Sequence, residues 1–153
     1  MRNVKISSID ARKIMATAEG HFFDRKALAL SGKKIQKIAV AFANADGGEF
    51  VVGIADDEDE PNPLLRWQGA DKTEDFNSHL QALFDVTPTL NLTYDALFCE
   101  SEKGYVLRVV VDKSSEVHKT SDNTVYQRYG AQSLPIKDPQ RIIELSYAKG
   151  SSA

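Results

Sequence analysis

The stretch from residue 31 to residue 59 constrains the fold of this chain more than any other part. It reads SGKKIQKIAVAFANADGGEFVVGIADDED. Ile35, Ile38 and Phe42 recur at spacings of three and four residues, which predicts a helix with one apolar stripe. The glycine pair that follows predicts a tight turn. The uninterrupted apolar run FVVGIA then predicts a strand that is covered on both faces.

Weaker patterns on either side of this unit complete the predicted architecture. We expect further helices at about residues 8–18 and 73–84 and from residue 139 onward, and strands at residues 21–29, 90–99, 105–111 and 125–129. The sum is an α+β (mixed α/β) single domain of two layers. We expect a mixed β-sheet of about five to six strands packed by about four helices. The domain is placed at residues 1–150, followed by a disordered tail at residues 151–153.

Composition excludes several classes of protein. At 153 residues with 42 % hydrophobic and 27 % charged residues, the chain has the profile of one globular domain. No apolar run approaches the roughly 20 residues of a membrane helix, the first residues lack a secretory signal, and the single Cys99 excludes an internal disulfide. These features predict a cytoplasmic protein without a membrane partner. Because the formal net charge is −3, any polyanion site must come from local clustering.

Three motifs follow one another along the chain. The first is an acid, a small residue, three variable positions, a second acid and then a lysine, here Glu19-Gly20, Asp24 and Lys26. The second is AFANADGGEFVVGIADD over residues 41–57, and the third is VYQRYGAQS over residues 125–133. In this order the motifs resemble the Schlafen-type AlbA-like domain, a nucleic-acid-binding family widespread in bacteria and archaea. The family usually has glutamate at the position of Asp24 and serine at that of Gly20.

The resemblance implies a site of three acids that holds a divalent metal and cuts RNA. Carried over position by position, Glu19 and Asp24 match the first two acids, and Asp56 is the best match for the third, with Asp57 and Asp59 of the same acidic run as alternatives. These three would hold Mg²⁺ or Mn²⁺, which prefer hard oxygen ligands. Lys26 would offset the charge that develops on the phosphate. The side chain of Asp24 is one methylene shorter than the family's glutamate, which alters the geometry of such a site.

A second group of residues indicates binding. The predicted phosphate contacts are Arg25, Lys33, Lys34, Lys37, Lys119 and Arg128. The three lysines of this set that begin the second helix lie where exposed amides and the helix dipole also favour phosphate. About six such contacts would make binding steeply salt dependent. Tyr126 and Tyr129 flank Arg128 and can stack on bases. The alternative is that the three lysines only form the solvated face of an amphipathic helix.

Three interpretations of function follow. The first is a metal-dependent endonuclease that acts on RNA, such as tRNA, rather than DNA, in a setting of bacterial defence that the resemblance implies. The second is a non-catalytic DNA- or RNA-binding module of a larger regulatory protein. The third is a structural or dimerisation domain with a decayed site, in which Asp24 pairs with a neighbouring cation. The family resemblance also makes a homodimer an expected assembly.

Overall fold

The helix–turn–strand unit of residues 31–59 lies at the centre of the fold. The computed structural model describes residues 1–151. Its elements are β1 (Arg2–Lys5), α1 (Ser8–Ala16), β2 (Phe23–Lys26), α2 (Gly32–Asn44), β3 (Gly48–Val52), α3 (Asn77–Phe84), β4 (Leu92–Phe98), β5 (Val106–Val111), β6 (Val125–Tyr129), β7 (Gln132–Ile136) and α4 (Pro139–Ser146). Short 3₁₀ turns cover Pro63–Leu65 and Thr73–Phe76, and a π turn covers Tyr147–Ser151.

Two sheets organise these strands. The larger has five strands in the order β1-β4-β5-β3-β2, and β6 pairs only with β7 in a separate hairpin. Strand β1 is parallel to β4 and β2 is parallel to β3, whereas the β4–β5 and β5–β3 pairs are antiparallel. The predicted fold class, a single α+β domain with a mixed sheet and four helices, is confirmed.

The main core lies between α2 and one face of the large sheet. The apolar stripe of α2, including Ile35 and Phe42, packs against Phe50 and Val52 of β3 and against residues of β5. All four of these side chains are fully buried. The three- and four-residue spacing therefore predicted correctly which face of α2 packs against the sheet.

A second, smaller core lies on the opposite face. Ala11 and Met15 of α1 pack with Val51 of β3 and with Leu97 of β4. Strand β3 is thus covered on both faces, as its uninterrupted apolar sequence predicted. Helix α1 therefore covers the face of the sheet opposite to α2.

Strands β1 and β7 have no counterpart in the sequence prediction. Strand β1 is four residues long and reads RNVK, which lacks an alternating apolar pattern. Strand β7 contains Pro135, a residue that removes a hydrogen-bond donor and argues against a central strand. Proline is tolerated there because β7 pairs on one side only.

The remaining predictions concern the ends of the chain and membranes. Residues 152–153 of the predicted disordered tail lie outside the described residues. Within residues 1–151, no helix has the length and apolar character needed to cross a membrane.

Candidate nucleic-acid interface

A cleft of about 420 Å³ opens between the first half of α2 and strand β7. We call it the basic cleft. Its charged lining consists of Lys26, Lys34, Lys37, Arg128 and a single acid, Asp24. Residues 131–134 of the β6–β7 hairpin form the opposite wall. The cleft therefore concentrates positive charge on a chain whose net charge is negative.

Asn44, at the end of α2, positions the hairpin that forms this wall. Its side-chain amide donates to the carbonyl oxygens of His118 and Tyr126, each at 2.9 Å, and its oxygen accepts from the His118 N–H at 2.8 Å. Because a buried amide with all these bonds satisfied is costly to move, the hairpin is fixed against α2. Asn44 belongs to the AFAN motif, but the sequence interpretation gave it no role.

The floor of the basic cleft is a buried ion pair between β2 and β6. Arg128 Nη2 lies 2.9 Å from Asp24 Oδ2, and each residue is only 2 % exposed. The guanidinium also donates to the carbonyl oxygen of Gly20 through Nε at 3.1 Å and Nη2 at 3.0 Å, and to Ser133 Oγ through Nη1 at 2.9 Å. These contacts fix Arg128 at the floor of the cleft, and its phosphate contact stays a prediction.

Glu19 lies next to Asp24, so the structure brings together two of the three predicted acids. Burial raises the pKa of Glu19 to about 8, and the neighbouring Asp24 carboxyl adds to that rise. Lys26 and Arg25 oppose the shift with their charges but do not cancel it. At neutral pH Glu19 is therefore mostly protonated.

Asp56 does not join this pair. Its Oδ1 accepts a hydrogen bond from the Asp59 N–H at 2.8 Å and closes a local turn. Asp24 is opposite Phe50 in the parallel β2–β3 pair, and β3 ends at Val52, so Asp56 lies in the loop that follows the strand. In residues 1–151, no three His, Cys, Asp or Glu side chains are grouped to hold a metal ion.

Arg25 is also placed differently from the prediction. The side chain is fully buried, and it donates to the carbonyl oxygen of Ile14 at 2.7 Å and to Asp57 Oδ1 at 3.1 Å. Arg66 Nη1 lies 3.2 Å from the same Asp57 oxygen. The two arginines fix the acidic loop against α1, so the buried Arg25 has a structural role. Arg66 has no spacing or motif that indicated this role.

The predicted lysines divide between two surfaces. Lys34 and Lys37 face the basic cleft, and the Lys37 ammonium lies 5.5 Å from the ring centroid of Tyr126. Lys33 lies outside the cleft, with its ammonium 3.8 Å from the Asp122 carboxylate. Lys119 lines a different groove, beside Thr87 and Pro88. The sequence predicted a broad basic surface, whereas the structure has a compact basic site.

A family model named Schlafen, AlbA_2 matches residues 19–137. The chain belongs to the Schlafen AlbA_2 family. The resemblance predicted from the three motifs is thereby confirmed, and family membership supports a nucleic-acid-binding domain. The matched region includes the whole basic cleft.

A solved structure of this fold is the DIP2311 protein from Corynebacterium diphtheriae. It matches with a TM-score of 0.58 and 19 % identity, over 93 % of this chain and 32 % of that chain. This Schlafen-family chain therefore spans about a third of the length of that protein, and the likeness concerns the fold alone. A comparison with curated proteins finds no match.

Proposed function

We propose that this domain binds nucleic acid in the basic cleft. The observation that carries the proposal is the convergence of Lys26, Lys34 and Lys37 on one cavity of a chain with a net charge of −3. A concave site of one sign attracts the opposite charge more strongly than a flat surface does. Family membership makes nucleic acid the polyanion that such a site would take.

Lys34 is the phosphate contact that we expect to matter most. Its side chain is exposed, and its ammonium has no ion-pair or hydrogen-bond partner among the described residues. Lys37 is exposed as well but contacts Tyr126, and Lys26 lies 3.4 Å from Asp24 Oδ1. Lys34 can therefore bind a phosphate without first losing an interaction inside the protein.

A binding assay with fluorescently labelled tRNA, single-stranded DNA and duplex DNA at low salt tests the proposal. The Lys34→Ala, Lys37→Ala variant should weaken binding by roughly tenfold or more, because two phosphate contacts are lost. Lys33→Ala is the matched control, since this lysine shares the first turns of α2 but points away from the cleft. Equal losses in both variants, or no binding by the wild type at 50 mM salt, would sink the proposal.

Metal-dependent cleavage is a second candidate function, and the adjacent acids Glu19 and Asp24, of which only Asp24 lines the cleft, favour it. Glu19 and Asp24 are adjacent, and Asp24 Oδ1 is buried without a hydrogen-bond partner. These two carboxyls would hold Mg²⁺ or Mn²⁺ once Glu19 has released its proton to solvent, with water and phosphate as further ligands. A bound metal supplies polarisation of the phosphoryl oxygen. Arg128 orients Asp24, and Lys26 would neutralise part of the phosphate charge.

An RNA-cleavage assay separates this second function from binding alone. Labelled tRNA and DNA are incubated with the protein in Mn²⁺ or in EDTA, beside the Glu19→Gln variant, which keeps the size of the side chain. Cleavage only with metal, lost in the variant, is the expected result for an endonuclease. Binding without cleavage leaves the non-catalytic module. The preference for RNA, the homodimer, the larger polypeptide, the cytoplasmic location and the role in defence stay predictions.

A further inference from the structure

The basic cleft has the size of a small-ligand site. Its volume of about 420 Å³ lies in the lower part of the range of about 300–1,000 Å³ that is usual for pockets holding small molecules. Duplex nucleic acid is instead read by elements that enter a groove, and the major groove is wide enough for one whole helix. The cleft is therefore matched to part of a single strand.

Helix α2 is not free to enter a groove. Its residues 35, 36 and 38–44 are all buried against the sheet, α3 and the hairpin, so only its first turns and Lys37 reach the surface. The lysines of α2 consequently reach a ligand from the side of the cleft, one phosphate at a time.

The two walls of the cleft differ in chemistry. The α2 wall presents the ammonium groups of Lys34 and Lys37. The hairpin wall presents Leu134, which is 41 % exposed, and the exposed amide side chain of Gln132. An apolar side chain beside an amide suits the face and the edge of a nucleobase, since the amide offers both donors and an acceptor.

We infer that the cleft binds one unpaired nucleotide, its phosphate against Lys34 and Lys37 and its base against Leu134 and Gln132, so that the domain selects single strands or strand ends over duplex. The inference rests on the proposed function and names the class of nucleic acid.

The number of available cations gives this inference a quantitative consequence. Arg25 is buried, Arg128 is bound to Asp24, Gly20 and Ser133, and Lys33 and Lys119 lie elsewhere, so we count three lysines for phosphate. For a single strand, three contacts give a slope of log K against log salt of about −2, whereas six would give about −4. Affinity should fall roughly 20-fold between 50 and 200 mM salt, instead of the few-hundred-fold expected for six contacts.

The test measures affinity for three matched RNAs by fluorescence anisotropy from 50 to 200 mM KCl. They are a single-stranded 12-mer, a blunt duplex of the same sequence and a closed hairpin with the same stem. Unlabelled 5′-AMP, inorganic phosphate and adenosine serve as competitors. We expect the single strand to bind at least tenfold more tightly than the duplex, with a slope near −2. We expect 5′-AMP to compete at least tenfold better than phosphate.

Two leucine variants separate base contact from general damage. Leu134→Asp should weaken binding of the 12-mer and of 5′-AMP at least fivefold. Leu64→Asp is the control, because Leu64 is 60 % exposed in a turn outside the cleft, and it should leave both affinities unchanged. Thermal melts verify that both variants fold.

The outcomes distinguish this inference from the proposed function. Duplex RNA that binds as tightly as the single strand, or 5′-AMP that competes no better than phosphate, overturns the unpaired-nucleotide site while nucleic-acid binding stands. A slope near −4 overturns it as well. Absence of binding to every RNA at 50 mM KCl overturns the proposed function and this inference together.

Discussion

At the scale of single residues, the floor of the basic cleft is the buried ion pair between Asp24 and Arg128, which no local sequence motif predicts. Asp24 and Arg128 are both 2 % exposed, and Arg128 also bonds to Gly20 over a separation of 108 residues. Both belong to motifs that the sequence interpretation assigned to ligand contact. The first and third motifs therefore contact each other in the folded protein. This contact shapes the cleft in the absence of a ligand.

Removing Arg128 should therefore damage the fold before it damages binding. Arg128→Met leaves the Asp24 carboxylate buried with only Lys26 nearby, a change expected to cost about 3–5 kcal/mol of unfolding free energy. The Asp24→Asn, Arg128→Met double variant should recover part of that loss, because the uncompensated charge is gone. Urea denaturation measures both. A loss below about 1 kcal/mol for Arg128→Met would show that the pair is not structural.

At the scale of elements, the sequence predicted best where a periodic pattern spans many residues. The stripe of α2 and the apolar run of β3 each repeat one signal, so the faces that they bury were predicted, although β3 covers Gly48–Val52 and not the predicted residues 50–55. Strand β7 carries Pro135 within five residues, and its pairing with β6 depends on a partner strand that periodicity does not describe. One wall of the cleft was missed for that reason.

Among the site residues too, positions that follow from helix periodicity were easier to predict than positions that depend on tertiary structure. The sequence placed Lys33, Lys34 and Lys37 on one helix face; of these, Lys34 and Lys37 line the cleft, whereas Lys33 lies outside it. The burial of Arg25 and the distance of Asp56 from the acid pair depend on strand register and loop path. Those are tertiary properties, and a single sequence does not encode them in a local pattern.

The turn between α2 and β3 provides a test at this scale. Gly47 has a φ of +80°, and a Cβ added at Gly48 would overlap the ring of Phe42 in the main core. Gly48→Ala should therefore cost about 1–3 kcal/mol of stability, because the core has no room for the ring to move. Gly20→Ala is the matched control, since a Cβ there has no neighbour within 4 Å, and it should change stability by less than about 0.5 kcal/mol. Equal effects on urea midpoints would refute the steric account.

At the scale of the whole molecule, the charges are segregated. The acidic loop of residues 56–60 is fixed by Arg25 and Arg66. The lysines of the basic cleft lie on the other side of β2, between α2 and the hairpin. A chain with net charge −3 can therefore attract a polyanion at one place and repel it elsewhere. Orientation of a bound strand follows from this segregation as well as from the contacts in the cleft.

Binding in such a small site should depend on the protonation of Glu19. Burial and the Asp24 carboxyl raise the pKa of Glu19 to about 8, while Lys26 and Arg25 act in the opposite direction. A phosphate in the cleft repels the ionised form, so the bound state has a still higher pKa. Affinity should consequently be full below pH 8 and fall as pH rises through 8, by roughly fivefold at pH 9 for one added charge.

The measurement is RNA affinity from pH 6.5 to 9.5 in EDTA, with the Glu19→Gln variant in parallel. Glutamine keeps the size of the side chain but does not ionise, so its affinity should stay level across pH 8 and should match the wild type at pH 7. Lys149, whose pKa burial lowers to about 8, titrates in the same range but lies at Ala43, outside the cleft, in both proteins. A fall in affinity that persists in Glu19→Gln would assign the pH dependence to another group, and would remove Glu19 from control of the cleft's charge.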